Sequence, residues 1–282
     1  MPLDSDSDDL SSPPSPPSST SSRVARRNNV TGGSTTSEAV CASTVLACAD
    51  LCQRIMLVHD KLPKDARSWK QVVTACVSQG VNLVTRSVYS GKEKDPGVLP
   101  DGQDNGPSPY VGYGAAAVEA QIDVLTGETN IIRVDIVQDN GISLNVAVDV
   151  GQVQGSFVMG LGYFLTEEFV FDRDGSWSGI AGSNLANGTW TYKPMSSLDI
   201  PIDFNVSLLP NTPDTHGVLG SKSVGEPPLI LSSGVVSAVR AAVCAFLEET
   251  GDASDFCALQ APCTVERIQL AAKVDVNKLK MS

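Results

Sequence analysis

The sequence predicts an α+β domain behind a disordered leader, and three patterns carry that reading. Residues 116–125 (AAVEAQIDVL) and 130–139 (NIIRVDIVQD) alternate apolar and polar side chains on either side of Thr126-Gly127-Glu128, which reads as a β-hairpin. Stretches with apolar residues at helical spacing lie before and after that hairpin. Helices and antiparallel strands are therefore mixed along one chain, and a length of 282 residues allows one or two domains with a sizeable core.

The elements follow in order. Residues 1–28 are acidic and rich in Ser and Pro; they cannot bury enough apolar surface to offset their chain entropy, and read as a disordered leader. The ordered domain is expected over residues 29–276. It opens with a helix in which Thr35 and Glu38 have capping-box spacing and Val40, Val45, Leu46 and Ala49 make an apolar face. A short helix is expected over residues 68–79. Residues 90–110, rich in Gly, Pro and Asp, read as a long surface loop. After the hairpin, residues 152–169 place Val153, Phe157, Leu161 and Phe164 on one helical face, with Gly155, Gly160 and Gly162 allowing close approach. A strand at 203–209, a loop GSKSVGEPP, a helix at 229–249 and a last helix capped by Thr264 complete the chain.

Composition removes several function classes. Twenty basic against 32 acidic residues give a net charge of −12, which repels phosphate backbones and anionic lipid. Seven cysteines form no CxxC, and the two histidines are isolated, so no metal-ligand pattern is present; the thiols read as those of a reducing, cytoplasmic protein. The N-terminus lacks the apolar core of a signal peptide. The apolar run from Leu229 to Leu247 has the length of a membrane span, but Ser232, Ser233, Gly234, Ser237 and Arg240 within it favour a helix of a protein core.

Three segments have the composition of a site. Glu226 stands between Gly225 and Pro227-Pro228; the first proline restricts Glu226 to extended backbone, and the pair stiffens the chain after it. It reads either as a loop carboxylate complementing the dipole of the next helix or as a rigidly held general base. Lys222, four residues earlier, is placed to pair with it or orient it. The glycines and hydroxyls of residues 31–37 precede a helix N-terminus, whose free N–H groups suit an anionic or polar ligand as well as an ordinary capped start. Gln152, at a helix start, offers an amide with paired donor and acceptor.

Taken in order, GGSTTSE, YGAAAVEAQIDVLTGE, DVGQVQGSFVMGLGYF, GTWTYKP and SKSVGEPPL resemble the C-terminal molybdopterin-binding domain of the xanthine dehydrogenase/aldehyde oxidase family, with a lean towards aldehyde oxidase. The resemblance covers about residues 30–275. It implies that Glu226 is the catalytic base, activating a water-derived oxygen for attack on an aldehyde or N-heterocycle carbon. Gln152 would contact the pterin, and Gly33, Ser34 and Thr36 would lie against molybdenum and the pterin, with Gly33 nearest the metal. No side chain is expected to ligate the metal directly, and Lys222 is assigned a supporting role.

The chain lacks the family's two [2Fe–2S] domains, its FAD domain and the first half of its molybdenum region, and carries the Ser/Pro leader instead. The molybdopterin–molybdenum cofactor would then be shared with a missing N-terminal half or a complementary subunit, and FAD and [2Fe–2S] would belong only to the full-length enzyme. A homodimer is the usual assembly of the family. Two functions remain open: a fragment or subunit of a molybdenum hydroxylase, inactive alone, or a non-catalytic remnant or interaction module of the same fold.

Overall fold

A computed structural model describes residues 35–89, 110–214, 218–251 and 258–274. The expected leader at 1–28 lies outside the described residues, as does the expected loop at 90–110 apart from Tyr110. The architecture is α+β. A three-stranded sheet is built from β1 (Gly114–Ile122), β2 (Thr129–Gln138) and β5 (Asp203–Leu208), in the order β1-β2-β5. Helices α3 (Val146–Leu165) and α5 (Gly234–Glu249) supply the core that covers it. A small arm, β3 (Phe171–Asp172) and β4 (Ser183–Asn184), projects between α3 and β5.

The hairpin is where the alternation places it, but its period breaks once. β1 and β2 pair antiparallel with a register shift between Glu119 and Ala120, whose partners are Arg133 and Ile131, so Ile132 is an extra residue on β2. The buried positions of β2 accordingly run Ile131, then Val134, Ile136 and Gln138. A bulge rephases a strand in this way because one inserted residue exchanges its two faces. β5 then joins β2 in parallel, with Val134 opposite Phe204.

α3 begins earlier and ends sooner than its glycine-rich sequence predicts, over Val146–Leu165, with the Asn145 side chain accepting from Val148 N at 3.3 Å as its N-cap. Val153, Phe157 and Leu161 are fully buried, and Phe157 meets Phe204 edge to face at 5.5 Å. Gly160 serves a close approach. A Cβ there would stand 1.9 Å from Ser232 Oγ and 2.8 Å from Leu229 O, so α3 lies directly against the junction of α4 (Glu226–Leu231) and α5. Gly160→Val should destabilise the fold by about 1–3 kcal/mol through overpacking, read as a lower urea midpoint.

The apolar run after GSKSVGEPP is two helices. Ser232 and Ser233 separate α4 from α5, and Val235, Val239, Val243 and Leu247 of α5 point into the core. That burial accounts for one face of α5; Leu229 and Ile230 of α4 are exposed, and Glu226–Glu249 is long and apolar enough to cross a membrane with 22% of its most apolar window buried. Glu38–His59, within α1 (Thr35–His59), is also long and apolar enough, with none of its most apolar window buried.

The apolar face predicted for α1 is not packed against the described residues: Val40, Val45 and Leu46 are exposed, Val45 by 60%. Only the end of α1 is buried, where Val58 packs with Val72 and Cys76 of α2 (Trp69–Ser78). Residues 81–89 return along α1, where Arg54 donates to the Val84 carbonyl at 3.2 Å and Thr85 Oγ1 donates to Asp50 at 2.6 Å. α6 (Val265–Ala272) closes the fold with the predicted Thr264 cap, the side chain accepting from Arg267 N at 3.4 Å.

Candidate cofactor-binding site

The loop before Glu226 is anchored residue by residue. The Gly220 carbonyl accepts from Ile142 N at 2.7 Å and from Asp214 N at 3.0 Å, and Ser221 bridges to Gly141. Lys222 N donates to the Asn140 carbonyl at 3.0 Å, and Lys222 Nζ donates to Asp139 Oδ2 at 2.7 Å and to the Val111 carbonyl at 3.0 Å. Ser223 N donates to the Tyr110 hydroxyl at 2.8 Å. The Val224 carbonyl accepts from Gln138 Nε2 at 2.9 Å, and the Gly225 carbonyl accepts from Ser156 Oγ of α3. Six consecutive residues, 220–225, are thus tied to the end of β2, the segment before β1, and α3.

Glu226 emerges from this anchor as the first residue of α4, with its side chain exposed. The expectation of an extended loop residue is corrected here: the helix starts at Glu226, and Pro227 and Pro228 fill its first turn. Proline is tolerated there because its missing N–H would have no partner in the helix. The carboxylate is therefore in a first helical turn and on a rigid mount at once, so the dipole reading and the base reading describe the same placement.

Of the two roles expected for Lys222, pairing with Glu226 or orienting it, the structure favours the second. Lys222 forms its salt bridge with Asp139, and the two side chains are 11% and 3% exposed. Burial alone would push the Asp139 carboxyl up, but hydrogen bonds from Lys222, Gly141 N–H and Thr212 outweigh it and hold it below its ordinary value of 3.8. A carboxylate depressed on folding stabilises the fold above its unfolded pKa and loses that contribution as pH falls through the lower folded value. The thermal midpoint should therefore drop on acidification below about pH 4, and Asp139→Asn should flatten that limb of the profile.

Gln152 is exposed on α3, and its Oε1 lies 3.7 Å from where a Cβ on Gly225 would stand, which brings it beside the Glu226 mount. Gly151 and Gly155, on either side of it, face open space. Thr36 sits in the first turn of α1, and its hydroxyl oxygen is buried without a hydrogen-bond partner among the described residues. Gly33 and Ser34 lie outside the described residues.

Tyr110 anchors the loop through Ser223. Burial pushes its phenol pKa up, the Ser223 hydrogen bond opposes this, and the charges of Glu38 in α1 and Glu226 in α4 add to the rise. Tyr110, Gln138, Asp139 and Ser156 were not singled out from the sequence. Gln138 alone left a signal, as a polar residue at an inward position of an alternating strand.

A free hydroxyl at one helix start, an exposed amide beside a bare glycine face, and a rigidly mounted carboxylate are groups that suit a large polar cofactor bearing hydrogen-bonding edges. The sequence model of the molybdopterin cofactor-binding domain matches residues 17–201. The chain belongs to the molybdopterin cofactor-binding domain family. An indole-3-acetaldehyde oxidase of Arabidopsis thaliana is 35% identical over 248 residues, covering 86% of this chain and 17% of the relative. A xanthine dehydrogenase of Dictyostelium discoideum is 38% identical over 233 residues, covering 79% of this chain and 16% of the relative. Among solved structures, a Cu,Mo-CO dehydrogenase aligns with TM-score 0.48 and 23% identity, over 59% of this chain and 19% of that one.

The chain thus spans about a sixth of the length of these curated relatives. The molybdopterin cofactor-binding domain model ends before Glu226, but a continuous match over 86% of the chain necessarily includes it. Molybdopterin carrying molybdenum is the cofactor of this domain family. The residues present fit that group: Thr36 and Gln152 have side-chain polar atoms to offer it, and Gly151 and Gly155 leave room on the same helix.

Proposed function

We propose that this chain is the second molybdopterin-binding unit, over residues 29–276, of a hydroxylase that oxidises aldehydes or N-heterocycles, with Glu226 as its base. The observation that carries the reading is the combination of a loop held at each of residues 220–225 with a carboxylate left exposed at its end. A general base needs a fixed position and access to its proton donor, and both are met there. When bound, the cofactor would supply the acceptor for the two electrons released as a C–H carbon becomes C–O, with Gln152 and Thr36 among the residues that would hold it.

The chain's own residues do the remainder. Glu226 accepts a proton at a carboxylate oxygen as the attacking oxygen closes on the substrate carbon. Gln152 holds an edge of the pterin through its amide, and Thr36 meets the cofactor from the first turn of α1; Gly33 and Ser34, whose positions lie outside the described residues, are assigned to the cofactor by the resemblance alone. Lys222 supports the base from behind by holding the loop. The rest of the site comes from a partner, either the N-terminal half of such an enzyme or a complementary subunit. The free thiols of Cys41, Cys48 and Cys52, all exposed, fit a reducing cytoplasmic setting.

The test is metal content with and without a partner. The chain is purified alone and then together with an upstream half of an aldehyde oxidase. Near-stoichiometric molybdenum and aldehyde oxidation only in the mixture are expected. Full metal and turnover in the isolated chain would overturn the need for a partner, and no metal in either sample would favour a non-catalytic interaction module.

A further inference from the structure

We infer that the buried Asp139–Lys222 pair is the positioning device that sets where Glu226 presents its carboxylate. The inference rests on the reading of Glu226 as the base, although neither residue of the pair is assigned to the reaction itself. A buried ion pair is a poor way to stabilise a loop, since removing two charges from water costs about as much as the pairing returns. Apolar side chains of similar volume would serve stability as well. What the pair supplies is direction. Lys222 Nζ reaches Asp139 Oδ2 at 2.7 Å and the Val111 carbonyl at 3.0 Å, so one ammonium group joins the end of β2 to the segment entering β1. Asp139 is itself fixed by accepting from Gly141 N at 2.9 Å.

The remaining contacts of residues 222–225 are neutral hydrogen bonds, from Lys222 N to the Asn140 carbonyl, from Ser223 N to Tyr110, from Gln138 to the Val224 carbonyl and from Ser156 to the Gly225 carbonyl. Charged hydrogen bonds are roughly twice as strong as neutral ones, so the pair dominates the placement of Lys222. Residues 223–225 are all tethered, and a shift of Lys222 therefore passes along them to Glu226 instead of being absorbed by a slack loop.

Hydrogen exchange on the full chain, beside kinetics of the assembled enzyme, tests this. The double variant Lys222→Met/Asp139→Leu removes both charges and strands neither. Its thermal midpoint should stay near that of the wild type, while exchange at the Lys222 and Ser223 amides rises by roughly tenfold or more and the interior of β2 stays protected. In the assembled enzyme kcat should fall by about tenfold to a hundredfold at nearly constant KM and unchanged molybdenum content, because misplacing a catalytic group weakens the reacting geometry more than binding. Unchanged protection at the two amides, or wild-type kcat with the loop loosened, would overturn the inference. If the double variant does not fold, Lys222→Met/Asp139→Asn, which also strands no charge, is read in the same way, and Lys222→Arg, which keeps the charge, should retain part of the protection. Glu226→Gln run alongside separates the two claims: wild-type turnover in that variant defeats the base reading while the exchange result still reports on the pair.

Discussion

Replacing Glu226 by glutamine should lower kcat of the assembled enzyme by about 10²–10⁴-fold, the usual contribution of a positioned general base. The substitution keeps the size of the side chain and removes its negative charge, and with it the ability to take a proton. Glu226 is exposed at the start of α4, and its mount is made by residues 220–225, so neither folding nor cofactor content should change. The measurement is steady-state turnover of an aldehyde, with molybdenum determined on the same preparation. Loss of metal along with activity would assign Glu226 to cofactor retention instead, and unchanged turnover would remove it from the mechanism.

Gly141→Ala should be the most destabilising small change near the site. Gly141 has φ +65°, in the left-handed region, and a Cβ there would stand 2.3 Å from the Gly220 carbonyl oxygen. That oxygen accepts the hydrogen bonds from Ile142 N and Asp214 N, so it cannot retreat without breaking them. Left-handed strain and forced displacement together should cost about 3 kcal/mol. Urea denaturation should show a lower midpoint at unchanged slope. The damage is aimed at the anchor of the loop, so the assembled enzyme should lose kcat even at temperatures where the variant remains folded.

Much of the fold was legible along the chain. The hairpin, the α3 core face of Val153, Phe157 and Leu161, the strand expected at 203–209 and the Thr264 cap all depend on local pattern, which a single sequence carries, whereas the parallel pairing of that strand with β2 does not. The bulge at Ile132 was not legible, because alternation reads the same until the partner strand shows which residue is extra. The start of α4 escapes the sequence for a different reason. A residue before proline usually avoids helix, which points Glu226 towards extended backbone, whereas proline in a first turn costs the helix nothing.

The site divides in the same way. Glu226, Gln152 and Thr36 could be proposed from the sequence because they sit in short motifs of unusual composition. The neighbours that hold them could not. Asp139 lies 83 positions from Lys222, Gln138 lies 86 from Val224, and Ser156 lies 69 from Gly225. No periodicity or spacing links residues so far apart, and the natural guess for Lys222 was the nearest carboxylate.

The sequence by itself determined which residue types were available at the site and the order in which they occur. It made Glu226 a stiffly placed acid without saying what stiffens it. Only the tertiary structure decided that Lys222 belongs to Asp139, that α4 begins on the glutamate, and that the Tyr110 hydroxyl accepts from Ser223 N. The physical reason is that a buried charge takes the partner that shares its burial. Which residues share burial is settled by how sheet, loop and helix pack, not by their distance along the chain.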